Sequence, residues 1–319
     1  MLNGARDSER HVEFRRDNFA GLPDLQFVRD IAGIDRRSRC ADGSTQFLVN
    51  HLAPSLHLIC DIAGELGLTI VPVSHGTDIE YICAQSATWR ARTEVAARIC
   101  NRIVVLTPQN RERMAEMFPS FADRIEVIPV GVKLRQNPRA KSIDLSFAGR
   151  QLVDKGNHTL LAAIAMAEDP NAIGRVVIAG DGPHRETFVR ATRALALGDV
   201  GHYAALVREA CLSRGDDGRR WWQHTAEELP ALEGAVARQS AKEALRRVEF
   251  RGQVAHTEAI QQCASARLAV VCSLAPEAFP LSAAEAMANY TLPIVSRAGG
   301  LARVADRLVA AGLGALVVD

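Results

Sequence analysis

Two glutamates with a fixed spacing are the residues of this chain best suited to chemistry. Glu277 and Glu285 are separated by seven residues, and Gly299 follows Glu285 fourteen positions later. Two short apolar segments, 268–272 and 292–296, flank this run and are typical of strands. Both acids therefore fall near the carboxyl end of a predicted strand, where open α/β sheets bind ligands. Because two solvated glutamates on a helix are commoner than an active site, the surrounding residues must decide between the two interpretations.

Two cations occupy a comparable position earlier in the chain. Arg150 follows a strand-like segment, and Lys155 lies on the loop that leads into the next helical pattern. Fixed cations on such a loop suit a phosphate group. Leu281 and Ser282 open the helix that carries Glu285, so their backbone amides can also point at an anion. These residues together predict a site for a phosphorylated ligand.

The elements that must position these residues are short β-branched strands alternating with helical patterns. Such alternation predicts an α/β fold with parallel sheets covered on both faces. We expect two Rossmann-like domains that face a cleft, over residues 1–135 and 142–319, with a polar linker at 133–141. The predicted strands are 46–50, 69–74, 102–107, 125–129, 143–148, 175–179, 248–251, 268–272, 292–296 and 315–318. Helical patterns of the first domain lie near 55–66, 85–100 and 108–117.

One stretch of the second domain departs from this alternation. Residues 192–247 carry only alanine-rich and arginine-rich helical patterns with no strand signal. We interpret this stretch as a helical insertion. Trp221 and Trp222 within it fit either the core of the insertion or an exposed docking patch, and the core is the simpler interpretation.

Composition excludes several classes of function. The formal net charge of +1 argues against a nucleic-acid-binding protein that relies on a strong positive field. Seven cysteines without a Cys-x-x-Cys motif indicate reduced, mostly buried thiols in a cytoplasmic protein, with no zinc site. No apolar run of about 18 residues and no signal peptide is evident. The arginines of the first forty residues leave open a peripheral contact with an anionic membrane, although a solvated segment is the simpler explanation.

The order of several short motifs resembles a known enzyme family. The motifs are Ser74-His-Gly-Thr-Asp78, Val127-Ile-Pro-Val-Gly131, Phe147-Ala-Gly-Arg150 with Lys155-Gly156, Gly180-Asp-Gly-Pro183, Phe250-Arg-Gly252 and Glu277-x7-Glu285. This set resembles the retaining, metal-independent glycosyltransferases of the GT-B fold, specifically glycosyltransferase family 4. The resemblance runs from about residue 47 to residue 318 and is most specific in the second half.

The resemblance implies transfer of a hexosyl group, with retention, from a UDP- or GDP-linked sugar to an unidentified acceptor hydroxyl, without a metal or another cofactor. It places Glu277 on the donor-sugar hydroxyls, Glu285 on the ribose, and His75 near the reacting sugar, where it positions groups or stabilises charge. The catalytic residues it implies are His75, Arg150, Lys155 and Glu277. The donor-binding residues it implies are Gly149, Arg150, Lys155, Gly180, Gly252, Val254, Glu277, Phe279, Leu281, Ser282 and Glu285.

The sequence also departs from the family pattern. Residues 1–43 lack the usual opening strand, glycine-rich loop and helix, and the chain stops at Asp319, where relatives add helices. Tyr290 stands where relatives often have a glycine, and we expect it to be strained by a positive φ. An alternative is therefore a truncated, weakly active or inactive relative that binds nucleotide or a protein partner. A GT-B phosphorylase or epimerase is a third hypothesis, and the absence of a lysine placed for a pyridoxal Schiff base counts against a phosphorylase.

Overall fold

Two parallel sheets, one in each of two structural units, form the framework of the protein. The first unit is Met1–Val130 and the second is Gly131–Asp319. This computed structural model describes residues 2–4, 10–12, 46–50, 52, 56, 69–76 and 78–318. The boundary between the units falls just before the predicted linker, 133–141, which contains neither helix nor strand.

The first unit contains a parallel sheet of four sequential strands within its described residues. The strands of this unit are β1 (Leu2–Gly4), β2 (Arg10–Val12), β3 (Gln46–Asn50), β4 (Thr69–Ser74), β5 (Ile103–Val105) and β6 (Ile125–Val127). Strands β3 to β6 form the parallel sheet in that order, and β1 pairs antiparallel with β2. The predicted helix near 55–66, apart from Leu56, and most of the opening segment 1–43 lie outside the described residues.

In the first unit, two helices begin at a residue whose side-chain hydroxyl accepts a hydrogen bond from a backbone amide of the first turn. They are α1 (Ala87–Ala97) and α2 (Pro108–Met117), and a π-helical turn over Asp78–Cys83 and a 3₁₀ turn over Pro119–Arg124 complete the described elements. The Ser86 hydroxyl accepts from the amide three residues ahead at 3.3 Å, and the Thr107 hydroxyl does so at 3.2 Å. Such caps explain where the two helical patterns start.

The sheet of the second unit reverses its strand order at its centre. Its described strands are β7 (Ile143–Ala148), β8 (Val176–Ala179), β9 (Val248–Gly252), β10 (Ala266–Val271), β11 (Leu292–Ser296) and β12 (Val317–Val318). All neighbours are parallel, in the order β12-β11-β10-β7-β8-β9. The chain runs from β7 to one edge, then returns to β10 on the other side of β7. This is the Rossmann order, in which ligands bind outside the carboxyl ends of the strands at the reversal.

Strand positions follow the sequence pattern closely in both units. The strands β3, β4, β7 and β11 have the predicted bounds, and the other predicted strands differ by at most two residues at either end. These short apolar runs are recognisable because parallel strands are covered on both faces. In β8, for example, all four residues are buried.

Four consecutive helices lie between β8 and β9. They are α4 (Arg185–Leu197), α5 (Val200–Leu212), α6 (Gly215–Val236) and α7 (Gln239–Arg246). The predicted insertion, 192–247, begins within the first of them, so the helical insertion is the whole stretch 185–246. Tyr203 and Leu232, from α5 and α6, are buried in the same apolar cluster as Phe147 of β7. The insertion therefore completes the core of this unit. Trp221 and Trp222 are partly buried against that cluster, which confirms their interpretation as core residues.

The remaining helices of the second unit follow its strands. They are α3 (Asn157–Met166), α8 (His256–Ala264), α9 (Leu281–Ala288) and α10 (Leu301–Ala310). Just after α9, Tyr290 has a φ of 58° and is the one non-glycine with a positive φ among the described residues. The predicted strain is confirmed, and a left-handed conformation costs about 1 kcal/mol or more in such a residue. Lys141 holds this turn, since its Nζ donates to the Tyr290 carbonyl at 2.8 Å and to Thr291 Oγ1 at 2.9 Å.

A buried histidine makes the core of the second unit sensitive to acid. His158 on α3 is 1% exposed, and neither ring nitrogen has a hydrogen-bond partner within the described chain. Its ring lies 6.5 Å from that of Phe188 in a stacked arrangement. Burial, with a smaller contribution from the charge of His184, lowers the pKa of His158 to about 4. The side chain is therefore neutral in the folded protein above that pH.

We predict that the free energy of unfolding falls as the pH drops from about 6.5 to about 4. The unfolded His158 takes up a proton near pH 6.5 while the folded side chain cannot until about pH 4. A shift of this size corresponds to a loss of about 2–3 kcal/mol at the acid end. Urea unfolding at several pH values measures it, with His158→Phe as the comparison. Equal pH slopes for the variant and the parent chain would show that His158 does not cause the loss.

Candidate functional site

One predicted cation, Lys155, and one predicted acid, Glu277, meet at the reversal of the strand order in the second unit. Lys155 lies on a 3₁₀ turn, Val153–Lys155, that follows β7, and Glu277 lies on the loop that follows β10. Since β7 and β10 are neighbours in the parallel sheet, their carboxyl ends lie side by side. A contact between residues 122 positions apart in the chain results directly from this topology.

Lys155 and Glu277 form a charge pair. The Lys155 Nζ donates to Glu277 Oε1, and each side chain is 22% exposed. Such partial burial strengthens an ion pair relative to one on the open surface. Both groups remain accessible enough to exchange partners with a ligand. The pair thus brings one cation and one anion to the carboxyl edge of the sheet.

Glycines fix the backbone on which Glu277 sits. Glu277 forms an isolated parallel bridge with Gly299, and the Gly300 amide donates to the Glu277 carbonyl at 2.6 Å. Gly299 has a φ of +59°, and a Cβ there would lie 2.7 Å from both the amide nitrogen and the carbonyl oxygen of Glu277. A side chain does not fit, so a glycine at position 299 is a steric requirement.

Three other predicted residues, Gly149, Gly180 and Gly252, join the ends of adjacent strands. The Gly149 amide donates to the Ala179 carbonyl at 3.1 Å, and the Gly180 amide donates to the Gly252 carbonyl at 2.7 Å. A Cβ on Gly180 would lie 1.9 Å from the Gly149 carbonyl oxygen. These glycines therefore let three loops approach one another at the edge where the site lies. Arg150, next to Gly149, is exposed, and its guanidinium has no hydrogen-bond or ion-pair partner within the described chain.

The start of α9 offers an amide near the acids. Pro280 precedes the helix, and no side chain of the described residues caps it. The Leu281 amide donates to the Phe279 carbonyl at 2.8 Å, so it is already in use. Ser282 is exposed at the same end. Of the two amides proposed from the sequence, the Ser282 amide is the better placed to meet an anion.

Glu285 has a partner that the sequence analysis missed. His256 Nε2 lies 2.8 Å from Glu285 Oε1, and the two side chains are 74% and 21% exposed. His256 begins α8, two residues after the half-buried Val254. Glu285 and Ser282 also line a small cavity between α8 and α9, with Ser146, Ala148, Ala259, Ile260, Cys263, Ala269, Val270 and Val271. No pattern in the sequence marks His256, because the contact joins two helices separated by a strand.

His75 belongs to the first unit, where it follows β4. It is partly exposed. The neighbouring Asp78 is fully buried, accepting from the Ser74 hydroxyl at 2.7 Å and from the Leu52 amide at 2.8 Å. Asp78 therefore organises the loop on which His75 lies, which agrees with a structural role for this acid rather than contact with substrate.

The described residues can also be searched for metal ligands, disulfides and membrane-spanning helices. Within the described chain, no group of three or more His, Cys, Asp or Glu side chains is arranged to hold a metal ion. The cysteines in this part of the chain are all buried, and none of them forms a disulfide within it: Cys83, Cys100, Cys211, Cys263 and Cys272. Burial raises the pKa of Cys272 to about 12. None of the described helices is long and apolar enough to cross a membrane.

Comparison with known proteins identifies the fold. Residues 233–316, which contain both glutamates of the site, match the family model described as Glycosyl transferases group 1. No curated protein matches the sequence. The structure of Anabaena Alr3699/HepE in complex with UDP is similar over 88% of this chain and 65% of that one, at 17% identity and a TM-score of 0.58.

Two further solved structures show the same likeness. The structure of sucrose-phosphate synthase from Thermosynechococcus elongatus is similar over 91% of this chain and 70% of that one, at 20% identity and a TM-score of 0.53. The structure of the pneumococcal O-GlcNAc transferase GtfA in complex with UDP and GlcNAc is similar over 86% of this chain and 46% of that one, at 14% identity and a TM-score of 0.54. At these identities the likeness establishes the fold alone. The predicted GT-B fold, with two Rossmann-like units, is confirmed.

We predict that Gly299→Ala lowers the free energy of unfolding by about 2–4 kcal/mol, because the added Cβ collides with the Glu277 backbone in a left-handed conformation. Gly312→Ala is the matched control, since Gly312 has a φ of +76° with open space around its Cβ position. That control carries only the conformational cost, about 1 kcal/mol. Chemical unfolding of both variants measures the difference, and equal losses would contradict the close approach described here.

Proposed function

We propose that this protein is a retaining glycosyltransferase of family 4 that transfers a hexosyl group from a nucleotide-diphosphate sugar to an acceptor hydroxyl. The observation that carries the proposal is the Lys155–Glu277 pair at the strand-order reversal of the second unit. A cation for the diphosphate and an acid for the sugar hydroxyls meet where Rossmann sheets bind nucleotides. The match of residues 233–316 to a glycosyltransferase family supports the same conclusion.

The cations supply the main chemical contribution. When the bond between the sugar C1 and the β-phosphate oxygen breaks, negative charge develops on the departing diphosphate. Arg150 and Lys155 stabilise this charge, together with the Ser282 amide at the start of α9. A metal ion is not needed for this role. The acceptor hydroxyl then attacks C1 from the face the diphosphate has left, and the diphosphate takes up the hydroxyl proton.

The Lys155–Glu277 pair links donor binding to the release of the Glu277 carboxylate. A diphosphate at Lys155 competes with Glu277 for the same ammonium group. Glu277 is then released to accept hydrogen bonds from the donor-sugar hydroxyls. The two residues are thus prepared for a ligand that carries both a diphosphate and a sugar. Phosphate alone or sugar alone satisfies only one of them.

The nucleoside lies toward α8 and α9 in this proposal. Glu285 accepts hydrogen bonds from the ribose hydroxyls. His256 holds the Glu285 carboxylate in place through the 2.8 Å contact between His256 Nε2 and Glu285 Oε1. The backbone at Gly252 and Val254 lies beside the base, and Phe279 lies beside the sugar. UDP is the first nucleotide to test, since the similar structures of HepE and GtfA contain UDP. GDP stays a second candidate.

The role proposed for His75 is to position groups or to stabilise charge. It is partly exposed and follows β4, at the carboxyl end of that strand. The acceptor is unidentified in this proposal. The described cysteines are buried and form no disulfide with one another, which supports a reducing, cytoplasmic location.

The test is calorimetric titration of the purified chain with UDP, GDP and ADP. We expect one nucleotide to bind selectively, with affinity reduced about tenfold or more in Lys155→Ala and about fivefold or more in Glu285→Ala, since each removes one charged hydrogen-bond partner. Lys242→Ala and Glu233→Ala are the matched controls, because both lie in the helical insertion away from the strand-order reversal.

Binding that is equally strong in Lys155→Ala and in Lys242→Ala would place the nucleotide elsewhere. Failure of every nucleotide to bind the parent chain would refute the proposed transferase. With binding established, release of the nucleotide from its sugar conjugate in the presence of acceptor candidates tests transfer itself.

A further inference from the structure

The helical insertion contacts the turn that carries Lys155. This turn, Val153–Lys155, is referred to below as the Lys155 turn. Its Val153 amide donates to His184 Nδ1 at 3.0 Å, just before α4 begins. His184 Nε2 in turn lies 3.4 Å from the Ser213 hydroxyl, which follows α5. The start of α4 and the end of α5, the first two helices of the insertion, therefore meet at the Lys155 turn.

Asp154 joins that turn to the loop of Glu277 through its backbone. The Asp154 carbonyl accepts from the Leu274 amide at 2.8 Å, the Ala275 amide at 3.3 Å and the Ser273 hydroxyl at 3.2 Å. These three residues begin the loop that leads from β10 to Glu277. The Asp154 carbonyl thus fixes the loop that carries Glu277 against the Lys155 turn.

The side chain of Asp154 depends on a cation from the insertion. Asp154 is 6% exposed, and its Oδ1 has no hydrogen-bond partner within the described chain. Its Oδ2 lies 3.5 Å from Arg214 Nη2, at the residue that precedes α6. A carboxylate this deeply buried is costly unless an opposite charge accompanies it. Arg214 is the cation that accompanies it in the described chain.

His184 adds a neutral contact to the same turn. Because its Nδ1 accepts from the Val153 amide, that nitrogen carries no proton. Burial lowers the pKa of His184, while Asp154 opposes this effect and Arg214 reinforces it. The ring therefore remains an acceptor for the turn, and Arg214 is left as the charged partner of Asp154.

We propose that Arg214 is a positioning residue of the donor site, through which the helical insertion sets the geometry of Lys155 and Glu277. This inference rests on the proposed function, since it takes Lys155 as the ligand of the donor diphosphate. Arg214 holds the Asp154 side chain, and Asp154 holds the turn of Lys155 and the loop of Glu277. The insertion thereby acts on the diphosphate and sugar end of the site, whereas Glu285 and His256 lie on α9 and α8.

The test compares nucleoside diphosphates with monophosphates. Titrations of UDP and UMP, GDP and GMP, and ADP and AMP into Arg214→Ala give the contribution of the β-phosphate. We expect diphosphate affinity to fall about three- to tenfold, as for loss of one partly exposed charged contact. Monophosphate affinity should change less than twofold. Arg214→Lys should recover most of the diphosphate affinity, because it restores the charge.

Arg219→Ala is the matched control, since Arg219 lies on α6 and pairs only with the exposed Asp216 among the described residues. Asp154→Asn is a second variant that removes the charge without changing size. If Arg214→Ala does not fold, as judged by circular dichroism, Arg214→Lys and Asp154→Asn carry the test. Asp154→Asn should then show the same selective loss for the diphosphate.

The possible failures are distinguishable. If the parent chain binds no nucleotide, the proposed function is wrong and this inference falls with it. If Lys155→Ala weakens diphosphate binding while Arg214→Ala and Asp154→Asn do not, the transferase proposal stands and the positioning role is overturned. Equal weakening of mono- and diphosphate by Arg214→Ala would also overturn it, because a general loss of structure explains that result.

Discussion

The contact between Lys155 and Glu277 depends on one topological step, the return of the chain from β9 to β10 on the far side of β7. Without that reversal the two residues would follow strands at different places in the sheet. With it, the carboxyl ends of β7 and β10 are neighbours, and the two loops meet. The four-helix insertion lies between β8 and β9, within the half of the unit that precedes the return.

Close backbone approach is the second constraint on this site. Gly156 has a φ of +76°, and a Cβ there would lie 2.0 Å from the Cys272 carbonyl oxygen. Gly299 is also restricted beside Glu277, where the nearest atoms lie 2.7 Å from an added Cβ. The turn of Lys155 and the loop of Glu277 are thus held at backbone level, before any side chain is considered. Such rigidity fixes the backbone that carries the two charged side chains ahead of ligand binding, so that only the side chains need to change partners.

Much of this arrangement was predictable from the sequence, for physical reasons. The strands of both parallel sheets are buried on two faces, so their apolar runs stand out, and the glycines with positive φ recur in short motifs. Tyr290 was predicted to be strained because it follows a helix where glycine is favoured. His256 and Arg214 were not predicted. Each acts through a contact across the fold, with Glu285 and Asp154 respectively, and local periodicity carries no information about such pairs.

The most direct measurement is a crystal structure of the chain with the nucleoside diphosphate that it binds. We expect the β-phosphate within hydrogen-bond distance of Lys155 Nζ and the ribose hydroxyls within hydrogen-bond distance of Glu285. Glu277 should be released from Lys155 and turned toward the position of the donor sugar. A nucleotide bound away from the carboxyl ends of β7 and β10, with the Lys155–Glu277 pair unchanged, would contradict this expectation.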